Sequence, residues 1–165
     1  MRISVLAAAW LTLSVASAMA ADGGRERLPQ VRLQSQGVAV AAATLARPDP
    51  WILIYVDDDC RVCVEVLSET KADDIDRSRI LVVASTDGGS GLSPRPSRIA
   101  WPPARVFIDS SGALATGLRL QGVPVIVGLV GDEIHWKWSG ALPTAELRSL
   151  IASWLESHPA PAVPR

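Results

Sequence analysis

The chain is poor in the residues that build several common kinds of protein. It has two cysteines, two histidines, one phenylalanine and one tyrosine in 165 residues. Two cysteines are too few for a disulfide-stapled scaffold. A structural zinc site wants four ligands, and beyond the cysteines only His135 and His158 are available, at a spacing unlike any finger. The formal net charge is −1 and the Lys and Arg residues are scattered. There is thus no basic stripe for nucleic acid and no polybasic cluster for anionic lipid. No internal repeat is present. Only one apolar run is long enough to cross a bilayer, and it lies at the N-terminus.

That run, "ISVLAAAWLTLSVASAMA" (Ile3 to Ala20), follows Met1-Arg2 and closes on the small-x-small pattern Ala18-Met19-Ala20. This predicts a secretory signal peptide, residues 1–20, cut after Ala20; the alternative is a retained membrane anchor. With the leader removed, the mature protein is expected to be exported, to the periplasm or an equivalent compartment, where disulfides persist. About 145 residues remain, enough for one domain with a real core. The expected domain spans 21–158, with residues 159–165 a Pro-rich tail, "PAPAVPR", expected to be disordered.

Between these ends, buried-strand and helix patterns alternate. "RLQSQGVAVAAATLARPDP" predicts one or two short strands broken at Gly37 and ended by Pro48 and Pro50. "WILIYV" (Trp51 to Val56) is a continuous β-branched and aromatic run, the mark of a strand buried on both faces. A helix is expected over Arg61 to Lys71, its apolar face made by Val62 and Val66, or by Val64 and Leu67. Strands follow over 79–85 and 104–109, then a helical stretch Ala113 to Leu120. "GVPVIVGLV" and "EIHWKWSG" form a hairpin across Gly131-Asp132, with Ile134, Trp136 and Trp138 on one face. Leu147, Leu150, Ile151, Trp154 and Leu155 mark a closing helix. The predicted class is α/β, a central mixed sheet flanked by helices.

The two cysteines sit where the first buried strand ends and its helix begins, in "DDDCRVCVEV". Residues i and i+3 on a helical turn are neighbours, within the Cα separation a disulfide requires. The helix dipole and free N–H groups of the first turn favour an anion at the first cysteine, so Cys60 is the expected nucleophile and Cys63 the resolving thiol. Asp58 and Asp59 disfavour a thiolate there and Arg61 favours one, so all three are candidate tuning residues. The other reading of the acidic run is a solvated loop with Asp59 as the helix N-cap. A purely structural disulfide is also open, although closing so short a loop stabilises little.

A buried strand running into CxxC, a Gly-Val-Pro strand start about sixty residues on and the terminal "WSGAL" hairpin together resemble the thioredoxin-like fold. The extra segment "ARVFIDSSGALATGLRLQGVPV" is similar to the strand and helix inserted in exported TlpA/ResA-type thiol-disulfide oxidoreductases. The resemblance covers roughly residues 36–157. It implies dithiol-disulfide exchange with protein substrates, in the reducing direction, supplied by a membrane or soluble electron donor. It implies no cofactor and a monomer. It places Val123-Pro124 at the family's substrate platform, where a cis proline faces the cysteines; an ordinary trans proline at a strand start is the alternative. Trp101, in the loop before the inserted strand, is a further candidate for substrate contact. Asp59 stands where the family has an aromatic residue, Arg61-Val62 separates the cysteines, Val123 replaces a frequent threonine, and Ile54 stands where thioredoxin buries an aspartate. Two other functions compete on the same fold: a non-enzymatic binding module, and a Sco-like copper chaperone using Cys60, Cys63 and His135.

Overall fold

The structure, a computed structural model, describes residues 26–57, 59–71, 75–85, 101–102 and 105–157. The leader, the tail, Asp58 and His158 lie outside the described residues.

The hairpin β1 (Arg32–Ser35) and β2 (Val38–Ala41) turns at Gln36 and Gly37, both at positive φ. Two such residues between antiparallel strands match strand twist, and glycine adopts that conformation without strain. The next strand, β3 (Arg47–Asp57), is the longest and runs into helix α1 (Arg61–Glu69). After it come β4 (Ile80–Ser85), β5 (Val106–Asp109), the short α2 (Ala113–Gly117), β6 (Val125–Gly131), β7 (Glu133–Ser139) and α3 (Thr144–Glu156). Among the described residues the sheet has seven strands in the order β2-β1-β5-β4-β3-β6-β7. β3, β4 and β5 are parallel, and β1, β2, β6 and β7 join antiparallel. This is the expected α/β class: a mixed sheet flanked by helices.

β3 explains its own unbroken apolar sequence. Ile52, Ile54 and Val56 face a cluster built with Cys63, Val66 and Leu67 of α1 and Leu147, Ile151 and Leu155 of α3. Trp51, Leu53 and Tyr55 face a second cluster with Leu114 and Leu118. With both faces covered, the period-2 alternation of a strand no longer alternates in polarity.

Three expectations are corrected. Pro48 and Pro50 lie inside β3 rather than ending a strand before it. Pairing with β4 begins only at Ile52, and pairing with β6 is irregular between Arg47 and Trp51, so neither proline is asked for a regular ladder bond. The buried face of α1 is Cys63, Val66, Leu67 and Thr70, while Val62 and Val64 are 37% and 54% exposed. Spacing of three and four from Cys63 aligns these residues, and the packing of α3 selects that face. In β7, Gly128 pairs with Trp136 but Leu129 pairs with Ile134, so His135 is the extra residue of a β-bulge. Ile134 therefore joins the α2 side, while Trp136 packs with the α1 and α3 side. His135 and Lys137 are both exposed; the His135 ring lies 5.3 Å from that of Trp154 on α3, and Lys137 reaches Glu26 and the Leu118 carbonyl.

Candidate active site

The site is built at the carboxyl end of β3. Asp57 closes the strand, its Oδ1 accepts from the Asp59 N–H at 3.0 Å, and its carbonyl accepts from the Cys60 N–H at 3.3 Å. This tight turn delivers Cys60 to the helix start. The N-cap of α1 is Cys60 itself and not Asp59, because the Cys60 side chain receives the Cys63 N–H at 3.1 Å. A sulfur in this position takes the role usually given to a Ser or Asp oxygen.

Cys60 and Cys63 are joined as a disulfide with Cα atoms 5.2 Å apart. Their environments differ. Cys60 is half-buried, and Cys63 is 1% exposed within the α1 and α3 core. Ile54 lies in that same cluster, so the floor beneath the pair is hydrocarbon where a carboxyl would otherwise carry a proton. Arg61 points along the helix, its Nε 3.7 Å from Glu65 Oε1, with both side chains largely exposed. An exposed pair of this kind is worth little.

The antiparallel register that sets Val125 opposite Tyr55 brings Val123 and Pro124 beside the end of β3 and the cysteine turn. Val123 packs against the same cluster as Cys60. The Val123–Pro124 peptide is cis. The Pro124 carbonyl accepts from Gly140 at 2.9 Å, whereas Val123 makes no backbone hydrogen bond among the described residues. Trp101 is 5% exposed and belongs to the core cluster of Cys63. Its Nε1 has no hydrogen-bond partner among the described residues. The structure does not gather His135 with the cysteines: among the described residues no group of three or more His, Cys, Asp or Glu side chains could hold a metal.

Sequence reasoning passed over Asp109. It ends β5 fully buried, and its Oδ2 accepts from Tyr55 Oη at 3.1 Å and from the N–H groups of Leu114 and Ala115 at 2.9 and 3.1 Å. The carboxylate thereby closes the turn into α2 and ties it to β3. The signal was available in "DSSG", an acidic residue just before a turn and a helix start.

Neither a protein-family model nor a curated protein matches the chain. Solved structures do. A thioredoxin-like protein from Porphyromonas gingivalis aligns with a TM-score of 0.60 at 21% identity, over 81% of this chain and 94% of that one. The exposed lipoprotein thioredoxin of Streptococcus pneumoniae gives 0.57 at 14% identity, over 74% and 98%. A secreted Mycobacterium tuberculosis disulfide oxidoreductase homologous to Escherichia coli DsbE gives 0.53 at 14%, over 75% and 96%. With a CxxC disulfide at the strand-to-helix junction and these structures as its likenesses, the chain has the thioredoxin-like fold.

Proposed function

We propose that this protein is an exported thiol-disulfide oxidoreductase that exchanges disulfides with protein substrates through Cys60 and Cys63, in the reducing direction. The observation that carries the reading is the asymmetry of the pair: a half-exposed sulfur at the helix N-cap receiving an N–H, and a buried sulfur one turn on. In the reduced protein the Cys60 thiolate attacks one sulfur of a substrate disulfide. A mixed disulfide forms and the other substrate sulfur leaves as a thiolate. Cys63, deprotonated, then attacks Cys60 Sγ, the second substrate sulfur leaves, and the Cys60–Cys63 disulfide closes. Two electrons pass to the substrate, and its two thiolates take protons from solvent and from Cys63. A membrane or soluble electron donor restores the dithiol.

The open backbone of Val123 supports substrate binding as a short added strand beside the cysteines. The reducing direction is supported by the acidic approach to Cys60, since carboxylates beside a thiolate destabilise the reduced form. Export is supported by the Ile3 to Ala20 leader and its small-x-small end, and by the secreted and exposed proteins whose structures the chain resembles. The deciding experiment is trapping in an exporting host. Cys63→Ser accumulates mixed disulfides through Cys60 because resolution is lost, and Cys60→Ser traps far fewer. Equal trapping by the two variants, or none by either, would return the chain to the binding-module reading.

A further inference from the structure

The end of the sheet remote from the cysteines carries a second concentration of chemistry. Arg47 opens β3, eleven residues long, whose other end leads to Cys60. Arg105 immediately precedes β5, and Ser78 lies just before β4. Both guanidinium groups donate through Nη1 to one backbone oxygen, that of Ser78, with Arg47 at 2.6 Å. Two cations are thus held against each other on a single neutral acceptor.

Neither arginine forms an ion pair with a described residue. Burial lowers the Arg47 pKa from its usual value and the charge of Arg105 lowers it further, with Asp76 acting in the opposite sense. The Asp76 carboxylate is itself engaged, accepting from the Ser78 N–H at 2.9 Å. Each guanidinium has five N–H donors in a rigid fork, and among the described residues only one of each is used.

The two forks line a cavity of about 270 Å³ together with Thr44, Leu45, Leu81 and Phe107. Leu81 and Phe107 are buried and supply a hydrocarbon floor. The volume lies just below the range usual for small-molecule sites, about 300 Å³ and above, and so suits only a small ligand. Guanidinium forks accept a carboxylate or a phosphate alike; the apolar floor is what favours an anion with a short hydrocarbon tail over a fully hydrated one.

We propose that Arg47 and Arg105 form a binding site for a small organic carboxylate with a short aliphatic chain, separate from the cysteine pair. The carboxylate takes a fork from each arginine and relieves their mutual repulsion, and its chain lies on Leu45, Leu81 and Phe107.

Calorimetric titration of the full chain with acetate, propionate, butyrate and inorganic phosphate tests this. Saturable binding is expected, tightening about threefold to fourfold for each methylene from acetate to butyrate. Arg47→Gln or Arg105→Gln should weaken butyrate binding at least tenfold, with reduction of a disulfide substrate unchanged. Arg47→Lys and Arg105→Lys keep the charge but lose the fork, so they should weaken it as well; they carry the test if a glutamine variant fails to fold. No saturable binding, or full affinity in a folded variant carrying both Arg47→Gln and Arg105→Gln, would overturn the site. Phosphate binding as tightly as butyrate would overturn its assignment to a carboxylate with a tail.

Discussion

The backbone N–H of Cys63 points at the sulfur of Cys60, 3.1 Å away. The turn that positions the pair therefore also supplies a donor to the sulfur that would become the anion in the proposed exchange. Cys60 sits at the positive end of the α1 dipole, while Asp59 precedes it directly and the Asp57 carbonyl receives its N–H. Attraction from the helix and repulsion from carboxylates thus meet on one atom.

Neutralising the acidic approach should shift that balance. In Asp58→Asn with Asp59→Asn, a thiolate on Cys60 loses two like charges, so the reduced form becomes more stable and the reduction potential less negative. A change of 30 mV corresponds to about 1.4 kcal/mol for this two-electron couple. The variant should be the stronger oxidant and poorer reductant when equilibrated against glutathione. An unchanged potential would mean that the run serves only as a solvated turn.

The Asp109 carboxylate should matter for stability well beyond an ordinary polar residue. Asp109→Ala removes the acceptor for Tyr55 and for two N–H groups at the start of α2, at a cost on the order of 2–4 kcal/mol in denaturant unfolding. Tyr55→Phe should cost about 1 kcal/mol. The double variant should cost less than the sum, because the two share a bond. Full additivity would show that the bond contributes nothing.

Gly128 lies under the indole of Trp136, and a Cβ there would stand 2.2 Å from its Nε1. Gly128→Ala should therefore lower stability by about 1–3 kcal/mol or more, as overpacking does. Combined with Trp136→Val the cost of adding the methyl should largely vanish. A cost of the same size in both backgrounds would place the clash elsewhere.

His135 packs at a tilt against Trp154 and is not gathered with the cysteines, so His135→Ala should leave coupled disulfide reduction close to wild type. The purified chain should carry no stoichiometric zinc or copper. Tight binding of one copper ion by the reduced protein, weakened by His135→Ala, would make the copper-chaperone reading the leading one.

The cysteine pair was legible because its setting is local. Cys60 and Cys63 follow a strand whose residues are apolar on both faces, and i, i+3 spacing alone makes neighbours of them at a helix start. β4, β5 and the closing helix were likewise readable from hydrophobic period. Tertiary structure decided what period cannot encode. The packing of α3 turned Cys63 inward and left Val62 and Val64 outside. One extra residue at His135 moved Trp136 and Trp138 to the face opposite Ile134, since a bulge reverses side-chain sense from that point on. Pro48 and Pro50 could stay in a strand because the neighbouring strands make no regular ladder there, a fact about partners rather than about proline. Asp109 became a buried carboxylate, and Arg47 and Arg105 came together on Ser78, only when β3, β4 and β5 aligned in parallel. These residues are far apart in the chain, and nothing short of strand register brings such groups to one point.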